Sequence, residues 1–282
     1  QQPGLLTGPL YTPLKALTAI ALARRLGAVP VFWVGSDDDD RAEVDHCACW
    51  DARGRLHALR YPEDAGAPGQ LIGDLPVRGV GERVLAQLAP LLDGLPHGAW
   101  AMALAEETLE VAEDFGEWFA RLLSRLCSPL GLVLCDPRLP AVRAAAVPVL
   151  HRELAAPLHT TALVNAAAAR LRHAGYEPAL TKPDDACNVF YFDGVRHRVT
   201  YRDGLFHAAG RAWTADGLRA SAPGRLLPNA VLRPVVQEAL FGSTVFVAGP
   251  HELGYWLELP EVFRALRVPM PSLKSLGRVT GQ

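Results

Sequence analysis

Val29-Pro30-Val31-Phe32-Trp33-Val34, followed by Gly35-Ser36-Asp37-Asp38-Asp39-Asp40, decides the fold. The first part carries no charge and is apolar at odd and even positions alike. A strand of that kind is covered on both faces, as in parallel sheets overlaid by helices. The abrupt change to carboxylates marks the strand's carboxyl end, the edge at which open α/β sheets bind ligands.

Alternation of helix and strand continues outward from this point. Toward the N-terminus, Thr12 reads as a helix N-cap with Pro13 at the first helical position. Leu14, Leu17, Ala21 and Leu22 form an apolar stripe, Arg24 and Arg25 suit a last turn, and Gly27 ends the helix. Toward the C-terminus, residues 46–50 and 55–61 read as a hairpin turning at Asp51-Ala52-Arg53-Gly54. Phe115, Trp118, Phe119, Leu122 and Leu126 predict one amphipathic helix over residues 108–127. Residues 132–135 and 244–248 are further buried strands, closing on Asp136-Pro137 and Gly249-Pro250. Helices are expected over residues 141–153, 158–173 and 231–240, and a second hairpin over 188–192 and 197–201. The Gly- and Pro-rich stretch 66–98 reads as a linker or mobile insertion, and 176–215 as another insertion. The expected fold is α/β: a single Rossmann-like core, a doubly wound and mostly parallel sheet over residues 1–282, with β-hairpin insertions.

Half of the 282 residues are hydrophobic and the formal net charge is −2. A substantial core can therefore be buried, and a broad nucleic-acid or anionic-membrane surface is not expected. No run approaches the roughly 18 apolar residues of a membrane helix. No signal peptide is legible, so a cytoplasmic protein is expected. Cys47, Cys49, Cys127, Cys135 and Cys187 are irregularly spaced and read as reduced thiols, not as a disulfide framework. Lysine occurs only at Lys15, Lys182 and Lys274, which draws attention to Lys15.

Several places could hold chemistry, each with a plainer reading beside it. The acidic loop is either a solvated turn or a site wall. In the second case one or two carboxylates hold Mg²⁺ with a nucleotide, or bind a substrate amine. The Gln1–Gly8 stretch is either an ordinary helix lead-in or an anion cradle. Gly4 and Gly8 permit close backbone approach, the following helix offers free N–H groups, and Lys15 adds charge. It is neither a Walker A motif nor a dinucleotide fingerprint. His46-Cys47-Ala48-Cys49 lacks a second ligand pair, so no metal site is assigned. Arg233 and Gln237 lie one helical turn apart and share a face. Asn229 would cap their helix, and His251, Glu252 and Tyr255 read as a polar helix start.

These pieces, in order, resemble the BshC family, the cysteine-adding ligases of bacillithiol biosynthesis. The resemblance rests first on Gln1-Gln2-Pro3-Gly4-Leu5-Leu6-Thr7-Gly8-Pro9-Leu10-Tyr11-Thr12 with Lys15 behind it. It extends through Pro30 to Val34 with the acidic loop, Glu43 and His46, through Gly131 to Pro137, and through Asn188-Val189-Phe190-Tyr191-Phe192. Its longest stretch is Leu227-Pro228-Asn229-Ala230-Val231-Leu232-Arg233-Pro234-Val235-Val236-Gln237-Glu238, continuing through Val245 to Trp256. The resemblance implies a Rossmann-like core related to nucleotidyltransferases. It implies a ligase joining L-cysteine to glucosaminyl-malate, making a low-molecular-weight thiol, with ATP or another nucleotide and Mg²⁺ as the activating cosubstrate. It assigns Asp38, Asp40, Glu43 and His46 to catalysis. Gln2, Gly4, Thr7, Gly8, Tyr11, Lys15, Asn188, Asn229, Arg233, Gln237, Glu252 and Tyr255 would contact substrate or nucleotide. Asn229 and Arg233 would take a carboxylate, Arg233 through bidentate pairing.

Departures are visible too. The family reads Glu-Asp-His-Asp where this chain has Asp37-Asp38-Asp39-Asp40, so Asp39 replaces a histidine. Gly249-Pro250-His251-Glu252 stands in place of Gly-Pro-Gly-Glu. Family members begin earlier, with a strand before the Gln-Gln loop, and continue past Met270 into a helical coiled coil that makes a homodimer. This chain is expected to lack both. The alternatives are a non-catalytic sugar- or nucleotide-binding paralogue and a nucleotidyltransferase with another acceptor.

Overall fold

A computed structural model describes residues 1–221 and 224–276. The chain divides into two compact units, Gln1–Pro137 and Arg138–Gln282.

The first unit contains α1 (Tyr11–Leu26), β1 (Val31–Trp33), β2 (His46–Trp50), β3 (Leu56–Arg60), α2 (Gly81–Leu92), α3 (Gly98–Glu110), α4 (Phe115–Cys127) and β4 (Val133–Cys135). β1 and β4 pair in parallel, Val31 opposite Val133 and Trp33 opposite Cys135. Phe32, Trp33 and Val34 are buried, as an apolar strand requires. The backbone of Gln1 extends this ladder: its N–H groups donate to Trp33 O and its carbonyl accepts from Gly35 N–H. Ala16 and Ile20 of α1 and Phe119 and Leu123 of α4 pack with Phe32 and Val34 into one core. The adjacent part of the same α4 stripe, Phe115, Trp118 and Leu122, enters a second core with α2, α3 and the β2–β3 hairpin. One amphipathic helix thus ties both cores together.

The second unit contains α5 (Pro140–Ala155), α6 (His159–His173), β5 (Ala186–Phe192), β6 (Arg196–Arg202), β7 (Leu205–Ala208), β8 (Arg211–Trp213), α7 (Ala215–Arg219), β9 (Leu226–Pro228), α8 (Leu232–Phe241), β10 (Val245–Ala248), α9 (Pro250–Trp256), α10 (Pro260–Ala265) and β11 (Ser272–Ser275). β10 and β11 pair in parallel, and β8-β7-β6-β5-β9 form an antiparallel sheet.

The α/β class and the parallel strands follow the expectation, and the β2–β3 register reproduces the turn at residues 51–54. Five details differ. Helix α1 starts at Tyr11, so Thr12 is not its N-cap. Pro13 fits within the first turn because N–H groups there need no helical acceptor. Residues 108–127 are two helices, because the Asp114 carboxylate caps Glu117 N–H at 2.8 Å and restarts the chain. The stretch 66–98, read as a linker, carries α2 and places Leu71, Ile72, Leu75, Val77 and Val84 in the core. The hairpin at 188–201 belongs to a five-stranded sheet, and Ser272–Ser275 is a strand that its polar sequence does not announce.

Candidate active site

In the first unit the site is built where β1 ends. Ser36 and Asp37 are buried, Asp38 and Asp39 half-buried, and Asp40 exposed. The loop is fixed from below: Gly73 N–H donates to Ser36 O at 2.9 Å and Ile72 N–H to Asp38 O at 2.7 Å. The Ser36 hydroxyl donates to the Asp136 carboxylate at the end of β4. Asp38 accepts from its neighbour's backbone, Asp39 N–H, at 2.9 Å. Its other oxygen accepts from the Gln2 side-chain amide at 2.8 Å. The acidic loop and the glutamine loop are therefore one constellation.

The glutamine loop is strained in a defined way. Leu6, Thr7 and Gly8 have φ of 50°, 76° and 71° in succession, a sparsely populated region for the first two. Leu5 anchors the turn, fully buried, with its N–H on Val44 O at 3.0 Å. A Cβ on Gly4 would lie 2.6 Å from Gly8 Cα, so only glycine fits. Thr12 is fully buried and its hydroxyl has no hydrogen-bond partner among the described residues. A Cβ on Gly8 would stand 3.5 Å from that hydroxyl, so it lies against the loop. Lys15, three residues on and on the same face of α1, is buried and donates to Gln1 Oε1 at 3.2 Å. Tyr11 opens α1, and Thr7 is half-buried.

The remaining candidates of this unit stand further out. Glu43 is exposed on a 3₁₀ turn, Arg41–Glu43. His46 is exposed on β2 and paired with Asp45 at 3.0 Å. Cys47 and Cys49 are half-buried on one face of β2, and burial pushes the Cys47 thiol up to about 12, far from a thiolate. All five cysteines are unpaired.

In the second unit the candidates fall into two groups. Asn188 and Asn229 are buried and bonded to each other: Asn229 Nδ2 donates to Asn188 Oδ1 at 3.0 Å. Asn229 Oδ1 accepts from Val231 N–H at 2.9 Å and caps the entry to α8. Asn188 Nδ2 donates to Thr160 Oγ1 at 2.8 Å and Thr161 Oγ1 at 3.0 Å. Glu153 sits beneath them, 1% exposed, accepting from the Thr160 hydroxyl at 2.8 and 2.7 Å and from Asn188 N–H at 3.1 Å. Burial pushes its carboxyl above the ordinary range, partly offset by these hydrogen bonds. Sequence reading missed Glu153, Thr160 and Thr161, because a helical glutamate gives no sign that it is buried.

The second group is more open. Arg233 donates to the Tyr255 hydroxyl at 3.1 Å. Burial raises the Tyr255 phenol, and the neighbouring guanidinium works against that shift. Gln237, one turn along α8, donates to Glu238 at 3.1 Å. Glu252 accepts from Gly249 N–H at 2.7 Å and so caps α9, the plainer of its two sequence readings.

Residues 1–275 match the model of the family described as "Bacillithiol biosynthesis BshC, N-terminal Rossmann-like domain". The chain belongs to this family. Among relatives named "Putative cysteine ligase BshC", that of Thermus thermophilus is 37% identical, over 97% of this chain and 54% of the relative. The Geobacillus kaustophilus relative is 35% identical, over 96% and 52%. The Desulforamulus reducens relative is 31% identical, over 99% and 54%. The chain spans about half the length of the BshC relatives it matches. No helix among the described residues is long and apolar enough to cross a membrane.

Proposed function

We propose that this chain carries the Rossmann-like part of a carbon-nitrogen ligase that joins L-cysteine to glucosaminyl-malate in the last step of bacillithiol biosynthesis. Family membership supports the reaction class. The observation that carries the assignment of a site is the orphan Thr12 hydroxyl, buried against the Gly4–Gly8 loop and one turn from buried Lys15. A buried hydroxyl without a partner costs about 1–3 kcal/mol, and an anionic oxygen in the loop would remove that cost. Strained backbone over the same residues has the same meaning, since such strain collects at ligand clamps.

Amide formation from a free carboxylate requires activation. With ATP, the cysteine carboxylate attacks a phosphorus, an acyl–phosphate bond forms and pyrophosphate or ADP leaves. The glucosamine amine then attacks the acyl carbon and gives up a proton; the C–N bond forms, and the acyl C–O bond breaks with its electron pair leaving on phosphate or AMP. The glutamine loop, with Thr12 and Lys15, would bind the phosphoryl oxygens. Asp38 and Asp40 suit Mg²⁺, which takes one or two carboxylates plus phosphate oxygens. Asp38 would also accept the proton that the attacking amine gives up. Within the second unit, Arg233 donates to the Tyr255 hydroxyl and its guanidinium would suit a carboxylate.

The test is incubation of the protein, in its longest natural form, with glucosaminyl-malate, cysteine and ATP–Mg²⁺, read by mass spectrometry. Formation of the cysteinyl amide is expected. Absence of product across nucleotides and metals would sink the proposal. A second reading, a binding paralogue without catalysis, is favoured by Asp39 in place of the family histidine. It predicts calorimetric binding of glucosaminyl-malate without turnover, unrestored by Asp39→His.

A further inference from the structure

The helical hairpin of the first unit has a face that the proposed reaction does not use. Helices α2 and α3 run antiparallel and are pinned at both ends. A Cβ on Gly81 would lie 2.3 Å from the Leu109 side chain, and one on Gly98 would lie 2.0 Å from Leu92 O. Their inner stripes, Val84, Leu88, Leu104 and Ala105, join the core. Between their outer stripes runs an open groove of about 740 Å³.

The floor and walls of that groove are apolar and small: Ala86 and Ala89 from α2, Met102 and Ala103 from α3. Alanine at the rim allows another helix axis to approach to about 8–10 Å. The Met102 thioether can adapt to whatever side chains enter. At one end the groove turns acidic, where Glu82 from the start of α2 meets Glu106 and Glu110 from the end of α3. None of these three carboxylates has an ion-pair partner among the described residues, whereas nearby Glu107 is held by Arg125 at 2.9 Å. The C-terminal end of α3 adds the negative pole of its dipole at the same place.

We propose that this groove docks an amphipathic helix of a partner protein whose apolar stripe is flanked at one end by lysine or arginine. The apolar trough supplies burial without a directional demand, and the acidic end sets polarity and selects cations. An anionic membrane or a nucleic acid would meet the three carboxylates with like charge. A small polar ligand would find no convergent donors in the trough.

The experiment is fluorescence anisotropy on the 282-residue chain with a labelled helical peptide of about 18 residues, five turns. It carries a leucine stripe and a lysine cluster at one end. Its twin has glutamate for lysine. The lysine peptide is expected to bind in the micromolar range and the glutamate twin roughly tenfold or more weaker, with the preference fading in salt. Joint replacement Glu82→Lys, Glu106→Lys, Glu110→Lys should invert the preference. Ala89→Trp, at an exposed position, should block both peptides while thermal unfolding stays unchanged. Equal binding of the two peptides, no binding, or binding indifferent to Ala89→Trp would overturn the proposal. Capture by anionic phosphatidylglycerol vesicles in preference to the peptide, or self-association through the groove in sedimentation, would overturn it as well.

Discussion

The acidic and glutamine loops of the first unit and the Glu153 network of the second use the same residue types in opposite ways. Asp38 is half-buried, with one oxygen on a side-chain amide and the other on a local N–H. Thr12 keeps a hydroxyl without a partner. Glu153, Thr160, Asn188 and Asn229 are all buried and satisfy one another. The Thr12 hydroxyl, with no partner among the described residues, is available to a ligand. A polar group whose partners are all internal holds the fold and, through α8, sets where Arg233 stands. Burial and partner count separate the two roles where residue identity does not.

Truncation should break the comparison most visibly. Glu153→Ala leaves the Thr160 hydroxyl and Asn188 N–H buried without an acceptor and should cost about 3 kcal/mol in urea unfolding. Asp38→Ala removes the acceptor of two half-exposed donors and should cost only about 0.5–1.5 kcal/mol yet abolish turnover. Similar costs for the two would erase the distinction.

A smaller effect is expected at the strained loop. Gly4→Ala must push Gly8 back from a 2.6 Å approach and should cost about 1–3 kcal/mol. It should weaken ATP binding at the same time. Unchanged calorimetric affinity would separate the loop from the ligand.

The pH dependence of stability sharpens the contrast further. Burial raises the Glu153 carboxyl above its ordinary 4.5. The folded state therefore holds this proton more tightly than the unfolded chain. The stabilisation is complete below 4.5 and is lost as pH rises through the folded value. Glu153→Gln should remove that part of the slope, seen as a flatter plot of unfolding free energy against pH.

At the exposed hairpin the sign reverses, with the smallest effect. Backbone N–H groups of Arg55 and Arg53 and the His57 ring hold Asp51 down at about 2. Its contribution is present above 3.8 and fades as pH falls toward about 2. Asp51→Asn should flatten the acid limb slightly in thermal melts.

Much of this was legible because local chemistry forced it. Gly27 adopts φ 63° and closes α1 as its position in the sequence requires. The alternation of residues 46–50 and 55–61 around a Gly turn fixed the β2–β3 register. The α4 stripe faces inward as its spacing predicts. The break before α4 was also written, in Asp114 and Glu117, but the continuous apolar pattern over residues 108–127 masked it. Residues 66–98 read as a linker because Gly and Pro outweighed scattered apolar residues that are buried only in three dimensions.

For the candidate site, the sequence by itself determined the strand end with its carboxylates, the glycine loop before α1 and the family. These follow from local pattern, since a buried strand must be apolar and a close backbone approach must be glycine. Tertiary structure alone decided that Gln2 reaches Asp38 across 36 positions of chain. It also decided that Thr12 is left without a partner and that Asn188 and Asn229 turn inward onto Glu153. Each depends on which groups lose water on folding, and desolvation belongs to the assembled chain and not to any one segment of it.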